Sequence, residues 1–435
     1  MSRQLIVFIG GVRAGVLECE VRSSRFTYDE AYQARRAPTP LSLSLPVGPR
    51  TYPPSLVDPF LWGLLPDNPD TLRRWALLAE PHADEHSPFT LLEHYGLDCA
   101  GAVQFVAPGD EAILDRPGDF SPVSDEDIAR QIRAMNADPS TWTFDEHDGR
   151  FSLGGAQAKF GLLRQRGHWV LPTGAVPSTH ILKPGIPSYR ASALNEHVCL
   201  ELAHRLGLIA ARSQIGRFEG EIAVIVERYD RYRPGDDART EGTPEPSVVR
   251  IHQEDFCQAL SVMPSQKYED DGGPGLPRMV ALLRRHLPRD LASSSIERLL
   301  LAVAFNWLVA APDAHAKNYS ILLARGQVAL APLYDIASLT PYSNYRASTM
   351  RLAQKVAGEY RVAEIGAAHW RQEAHDHGLD PDDFATRVEE LVVAAPRHIE
   401  EICTDRRLLS IDPDFVATLR AGLQNRVASA SSSLR

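Results

Sequence analysis

The apolar pattern of this chain changes once, around residues 234–247. Upstream, from residue 148 to about 232, short β-type runs dominate, at 160–164, 169–171, 179–183 and 222–228. One helix interrupts them, from about residue 192 to 206, with Val198, Leu202 and Leu206 on one face and Gly207 as its stop. Downstream, Ile296, Leu299, Leu300, Val303, Trp307 and Leu308 recur at helical spacing up to Pro312, where the helix is expected to end. Residues 363–423 are also mostly helical in pattern, and the small, polar end 428–435 is expected to fray. The stretch 234–247 is rich in Pro, Gly, Asp and Glu and reads as an exposed loop. Strands followed by helices, joined near residues 227–231, make a bilobal plan whose cleft would hold a ligand.

Ahead of this lies a mixed α and β stretch, residues 1–107. Residues 5–9 and 12–17 flank Gly10-Gly11 and read as a hairpin. Leu41-Ser42-Leu43-Ser44-Leu45 alternates with period two, the signature of a half-buried strand. Residues 60–65 and 72–78 read as helices. Residues 108–122 are polar, with Pro and Gly, and read as a linker. Ser124 followed by Asp127 opens a helix over about 125–135. The expected organisation is therefore 1–107, a linker and helix at 108–147, a β-rich lobe at 148–231 and a helical lobe at 232–435.

With 435 residues the chain can bury a sizeable core in two or three units of about 150 residues. Lys plus Arg is 46 against 56 Asp plus Glu, a net charge of −10, which argues against a global field for nucleic acid. The apolar N-terminus breaks at Gly10-Gly11, and no run reaches the roughly 18 residues of a membrane span. The five cysteines, Cys19, Cys99, Cys199, Cys257 and Cys403, are far apart and odd in number, as expected of reduced thiols in a cytoplasmic protein.

The densest chemistry lies in Pro312-Asp313-Ala314-His315-Ala316-Lys317-Asn318. A D-x-x-x-x-N spacing, then a hairpin over 319–323 and 327–330 turning at Arg325-Gly326, then Asp335, is the layout of a phosphoryl-transfer catalytic loop. Asp313 would take the proton of the acceptor hydroxyl, Asn318 and Asp335 would hold Mg²⁺ through oxygen, and Lys317 would neutralise charge on the transferred group. The same spacing also occurs in a plain capping loop. Ser152-Leu153-Gly154-Gly155-Ala156-Gln157-Ala158-Lys159 places paired glycines before a strand, where backbone N–H groups can approach phosphates. Lys183 ends an apolar strand before Pro184 and could pair phosphates; Glu196 on the next helix could orient it. The backbone of Glu227 to Tyr229, at the lobe junction, could meet adenine. His252, ahead of Gln253-Glu254-Asp255, reads as a helix-start neighbour rather than a metal ligand. The turn-rich loop 267–275 reads as an ordered connection in preference to a substrate loop. Each piece is weak alone, but their order is that of the parts of a protein kinase. The expected fold is α+β and bilobal, protein-kinase-like, with a β-rich N-lobe, an all-α C-lobe and an extra N-terminal α/β subdomain.

These residues resemble the HipA toxins, serine/threonine kinases of bacterial toxin–antitoxin modules. The resemblance runs through residues 152–159, Thr-His-Ile-Leu-Lys-Pro at 179–184, Asn-Glu-His at 195–197 and Glu-Arg-Tyr-Asp-Arg at 227–231. It continues through 253–258, 267–275, Asp-Ala-His-Ala-Lys-Asn at 313–318 and Leu-Tyr-Asp-Ile at 333–336, with N-terminal pieces at 41–46, 64–68 and 101–105. Ala314 stands where relatives often have Gly and Ala158 where a relative has Glu; neither change removes a catalytic atom.

The resemblance implies an ATP- and Mg²⁺-dependent protein kinase. Asp313 would be the proton acceptor, assisted by Lys317. Gly154, Gly155, Ala156, Gln157, Lys159, Lys183, Glu227, Tyr229, His315, Asn318 and Asp335 would serve ATP, the last two through the metal. Ser152 would be the autophosphorylated serine, its phosphate switching the kinase off by expelling the glycine loop. A protein substrate such as glutamyl-tRNA synthetase is implied, with a HipB-like helix-turn-helix antitoxin as partner through which operator DNA is mainly met. A catalytically silent co-repressor and a small-molecule phosphotransferase remain open alternatives.

Overall fold

The computed structural model describes residues 3–79, 81–115, 120–143, 151–234, 248–343, 345–346 and 348–435. Most of the expected exposed loop, 235–247, and part of the expected linker, 116–119, lie outside the described residues. The chain divides into two compact units: residues 1–184, 216–265 and 321–328 in one, and 185–215, 266–320 and 329–435 in the other.

The two largest sheets among the described residues lie mainly in the first unit. The N-terminal one has five strands, with Arg3–Ile9 between Val12–Glu20 and Val103–Val106. Its first hairpin turns at Gly10 and Gly11, both at positive φ, as a two-residue turn matching strand twist requires. The second sheet has six strands. Phe160–Gln165 pairs with His168–Pro172 and with His180–Pro184, which in turn pairs with Glu221–Glu227. The edge strands Ser213–Phe218 and Phe120–Pro122 were not legible in the sequence; the latter falls within the expected linker. The helix Asp125–Ala137 packs on this sheet and starts from a reciprocal capping box between Ser124 and Asp127. One apolar core, including Leu5, Phe60, Trp75, Phe105, Phe160, Leu182 and Ile225, runs through both sheets of this unit.

Two expectations fail here. Residues 41–45 form a tight turn, closed by Leu45 N–H on the Ser42 carbonyl, instead of a strand. Their backbone is satisfied by a buried side chain: the Glu254 carboxyl accepts from Leu43 N–H at 2.8 Å and from Ser42 Oγ at 2.5 Å. Leu41 and Leu45 are both buried, so the alternation reports two core contacts and no ladder. His252 begins a strand, His252–Asp255; the helix cap is Asp255, in a capping box with Gln258. His252 is buried, with Nδ1 accepting from Ala102 N–H and Nε2 facing the Leu41 carbonyl at 2.9 Å.

The second unit is built on the helix Arg289–Val309, apolar on nearly every side and buried from Leu299 to Val309. Around it lie Ser192–Arg205, Leu276–His286, Pro381–Cys403 and Pro413–Ser433. The helical half also carries a hairpin, Arg351–Val356 with Glu359–Arg361. The central helix stops at Val309, ahead of Pro312. Ala310 takes a left-handed conformation (φ 56°), and the N–H of Ala311 returns to the Asn306 carbonyl at 2.9 Å. The C-terminal end does not fray: the last helix runs to Ser433, with Ala430 buried, and its final turn lies against Gly366, where a Cβ would come within 2.5 Å of the Ser433 carbonyl. All five cysteines are free and buried, and no helix among the described residues is long and apolar enough to cross a membrane.

Candidate active site

In the second unit the cap at Ala310 reverses the chain and delivers Pro312 and Asp313 off the end of a rigid helix. The following residues make one turn of 3₁₀ helix, Ala316–Asn318, closed by Asn318 N–H on the His315 carbonyl at 2.9 Å. The Asn318 side-chain amide donates to the Asp313 backbone carbonyl at 2.6 Å, which fixes its orientation and keeps Oδ1 as the acceptor end. The Asp313 side chain is 66% exposed, while its neighbours His315, Lys317 and Asn318 are buried. His315 Nε2 stands 3.9 Å from Asp313 Oδ1.

Tyr268 also reaches this loop, its hydroxyl donating to Asp313 Oδ1. It comes from the glycine-bearing loop 267–275, which is ordered. A Cβ on Gly273 would lie 2.1 Å from the Gln266 carbonyl, and one on Gly275 would lie 2.4 Å from the Glu269 carboxylate. Glu269 in turn accepts from Lys355 N–H at 2.7 Å, and Ala316 N–H bonds the Lys267 carbonyl at 3.3 Å. The sequence reading of this loop as an ordered connection missed Tyr268; only the turn residues around it hinted that the loop has a fixed shape.

Asp335 sits two residues past Leu333, whose N–H and carbonyl bond Ile209 and Ala211 at 2.8 and 2.7 Å. Tyr334 fixes the approach by donating its hydroxyl to the Lys317 carbonyl at 2.6 Å, which ties the residue before Asp335 to the residue before Asn318. Ser338 closes the other side through two bonds with the Asn195 side chain, at 2.7 and 3.0 Å. Asp335 itself is left-handed (φ 58°), a conformation aspartate tolerates better than most residues and one that marks a site worth testing for function. An amide oxygen from Asn318 and a carboxylate from Asp335 would suit Mg²⁺, which takes one or two protein oxygens and completes its shell with phosphate and water. Among the described residues no three His, Cys, Asp or Glu side chains converge as a metal cage, so any cation here must draw its other ligands from a phosphate or solvent.

In the first unit, Ser152 lies in the two-residue strand Phe151–Ser152, parallel to Asp98–Cys99. Its side chain is fully buried and donates to the Leu64 carbonyl at 2.7 Å. The paired glycines that follow lie against residues 63–67. Gly155 accepts from Asp67 N–H at 2.9 Å, and a Cβ on Gly154 would come within 2.6 Å of the Gly63 carbonyl. Lys159 bonds the Gly154 carbonyl at 2.7 Å and stands 5.4 Å over the Trp142 ring; Gln157 reaches the Pro184 carbonyl at 3.2 Å. Ala156 lies within this turn. Lys183 is buried in the strand His180–Pro184, paired in register with Val224.

The segment 227–229 leaves the strand Glu221–Glu227 with Glu227 exposed, and Tyr229 donates its hydroxyl to Gln253 at 2.5 Å. Directly behind it lies a buried ion cluster that sequence reasoning did not single out. Arg228 bonds Asp230 at 2.9 Å and Asp98 at 3.4 Å, while Arg231 bonds both acids at 2.9 Å. Ser178 Oγ and Gly101 N–H supply further donors, at 2.6 and 2.7 Å. Burial opposes the charge on Asp98, but Arg228, Arg231 and Arg250 outweigh it and hold its carboxyl well below the usual carboxylate range. The Glu-Arg-Tyr-Asp-Arg run was the one available signal, since charged residues directly after a buried strand must pair if they are to be buried.

Residues 151–399 match the model of the HipA-like C-terminal domain, and residues 5–106 match that of the HipA N-terminal domain. The chain belongs to the HipA family. The Sinorhizobium fredii protein Y4mE is 34% identical over 388 residues, covering 89% of this chain and 88% of that protein. The serine/threonine-protein kinase toxin HipA of Shewanella oneidensis is 28% identical over 411 residues, covering 92% and 89%. A chain of the solved complex of Shewanella oneidensis HipA, HipB and operator DNA superposes with a TM-score of 0.79 at 26% identity, covering 98% of this chain and 97% of that one. The fold is thus the α+β, kinase-like fold of HipA, in a family that includes a named toxin kinase.

Proposed function

We propose that this HipA-family chain is a toxin serine/threonine kinase that moves the γ-phosphoryl group of ATP to a serine hydroxyl of a protein. The observation that carries the reading is the loop 313–318: an exposed carboxylate held at one oxygen by a phenol, with an asparagine amide locked behind it. When bound, Mg-ATP supplies the phosphoryl group and a charge-neutralising cation. Asn318 Oδ1 and the Asp335 carboxylate would hold that cation. Asp313 receives the proton of the attacking serine, whose oxygen bonds phosphorus as the bond to ADP breaks. Lys317 offsets negative charge on the moving group, and His315 supports the Asp313 loop. Gly154, Gly155, Ala156, Gln157, Lys159 and Lys183 serve the phosphates, and the backbone from Glu227 to Tyr229 serves adenine. Residues 1–107, 108–147, 148–231 and 232–435 are assigned as N-terminal subdomain, linker with helix, N-lobe and C-lobe.

Ser152 is assigned as an autophosphorylation site that switches the enzyme off. The family supports an aminoacyl-tRNA synthetase such as glutamyl-tRNA synthetase as acceptor, and a cytoplasmic setting. The complex of the Shewanella relative supports a HipB-like antitoxin as partner, with operator DNA met mainly through it; the net charge of −10 agrees.

Purified protein given labelled Mg-ATP is expected to gain phosphate on Ser152, and Asp313→Asn to lose this and to cease arresting growth. Full incorporation by Asp313→Asn rules out the proton-acceptor assignment. A phosphoproteome taken after induction separates a protein kinase from a small-molecule phosphotransferase, and a calorimetric titration showing no Mg-ATP binding would favour a silent co-repressor.

A further inference from the structure

Behind the stretch that leads to Asp335, the second unit encloses a cavity of about 370 Å³. That is near the lower end of small-molecule sites, roughly 300–1,000 Å³. Its walls are the end of the helix Ser192–Arg205, the helices Arg289–Val309 and Pro381–Cys403, and residues 330–333. The lining is aliphatic at Leu206, Leu301, Leu333 and Leu391, with Ile209 half exposed at the mouth.

The polar lining carries three arginines against one acid, Glu390. Two of the arginines are already neutralised. Arg205 pairs with Glu201 at 2.8 Å and Glu401 at 3.2 Å, and Arg387 pairs with Glu297 at 2.5 Å. Arg298 differs: among the described residues it has no carboxylate partner. One N–H bond, to the Leu330 carbonyl at 3.2 Å, serves a group with five donors. Burial also lowers its pKa, the mark of a cation short of compensation. A partly desolvated guanidinium beside an aliphatic chamber is complementary to one kind of small molecule, an anion with a hydrocarbon body.

We propose that this cavity binds a small aliphatic carboxylate, its head paired with Arg298 and its chain against Leu301, Leu333 and Leu391. Leu333 is a wall of the cavity and is bonded on both faces, to Ile209 and Ala211. Asp335 follows two residues later. An occupant that shifts Leu333 therefore shifts the carboxylate assigned to the metal, and the ligand acts as an effector of phosphoryl transfer. This coupling rests on the kinase reading; the binding does not.

Octanoate, with octylamine as the charge-reversed control, tests both parts on the full chain by titration calorimetry. One octanoate per chain is expected, weakened at least roughly tenfold by Arg298→Met and lost in Ala394→Trp, which fills the cavity. Circular dichroism checks both folds; Arg298→Met decides the matter if the tryptophan variant does not fold. Equal binding of octylamine, or unchanged octanoate affinity in Arg298→Met, overturns the site. For the coupling, saturating octanoate is expected to change the rate of phosphate incorporation at least about twofold in the parent chain and to leave Arg298→Met unaffected. An unchanged rate despite measured binding overturns the coupling. Absence of phosphate transfer with and without octanoate overturns the kinase reading and the coupling with it, while the calorimetry still decides the site.

Discussion

Tyr268 donates its phenolic hydrogen bond to Oδ1 of Asp313, from a loop tied through Glu269 to Lys355 of the strand Arg351–Val356. The bond holds one carboxylate oxygen and so fixes the orientation of the carboxylate. The loop packs tightly enough that a Cβ on Gly273 would strike the backbone of Gln266 and Tyr268, and the Tyr268 ring meets His315 edge to face at 4.9 Å. Asp313 is thus exposed and oriented at once.

Tyr268→Phe removes this donor and keeps the ring. Single-turnover phosphate incorporation is expected to fall about tenfold, the worth of one hydrogen bond to a charged group. The Tm should change little, because the Asp313 side chain is mostly exposed. A drop in Tm with an unchanged rate per folded molecule would assign Tyr268 a structural role instead.

Ser152 carries opposite expectations for two substitutions. Ser152→Ala leaves the Leu64 carbonyl without its donor and should cost about 1–3 kcal/mol in urea unfolding. Ser152→Asp puts a charge where the side chain is fully buried, so the segment must leave its place. Proteolysis within residues 151–159 should speed up in the Asp variant and much less in the Ala variant.

Asp98→Asn breaks the buried ion cluster by leaving its arginines short of one charge, and should cost about 3–5 kcal/mol. The pH dependence has a definite sign. The folded carboxyl titrates below its unfolded value of about 4, so its contribution is present above that pH and is lost as pH falls through the folded value. Equilibrium unfolding between pH 6 and pH 3 should therefore show a steeper acid loss in the parent chain than in Asp98→Asn.

Glu254 predicts the reverse slope. Burial pushes its carboxyl up to about 8, so it is largely protonated at neutral pH. Its contribution is complete below the unfolded value of about 4.5 and is lost as pH rises through about 8. Glu254→Gln keeps the shape and removes the titration. Unfolding curves at pH 6 and pH 9 should converge for the variant and differ for the parent chain.

The kinase order was legible because each part obeys a local rule. A glycine pair must turn, and Asp313 must follow the helix that carries Trp307; Lys183 is expected to end its strand, but the strand runs on through Pro184. The ion cluster was not legible, since Asp98 and Arg228 are partners across 130 residues. The turn at 41–45 was misread for the same reason: the group that satisfies it, Glu254, lies 211 residues downstream of Leu43. The helix end at Ala310 escaped because any residue can be driven into a left-handed cap by the packing around it, and alanine gives no signal of it. The stop was therefore placed at Pro312, the residue with a visible cause.

The left-handed backbone at Asp335 narrows which residues can occupy that position. Glycine and asparagine adopt it as easily as aspartate, while a branched side chain would distort the turn that Tyr334 and Ser338 hold. Drift to glycine or asparagine would leave the fold standing and remove the charge. A gene copy that drifted this way would keep its fold and lose the proposed metal ligand, with no other mark of the change.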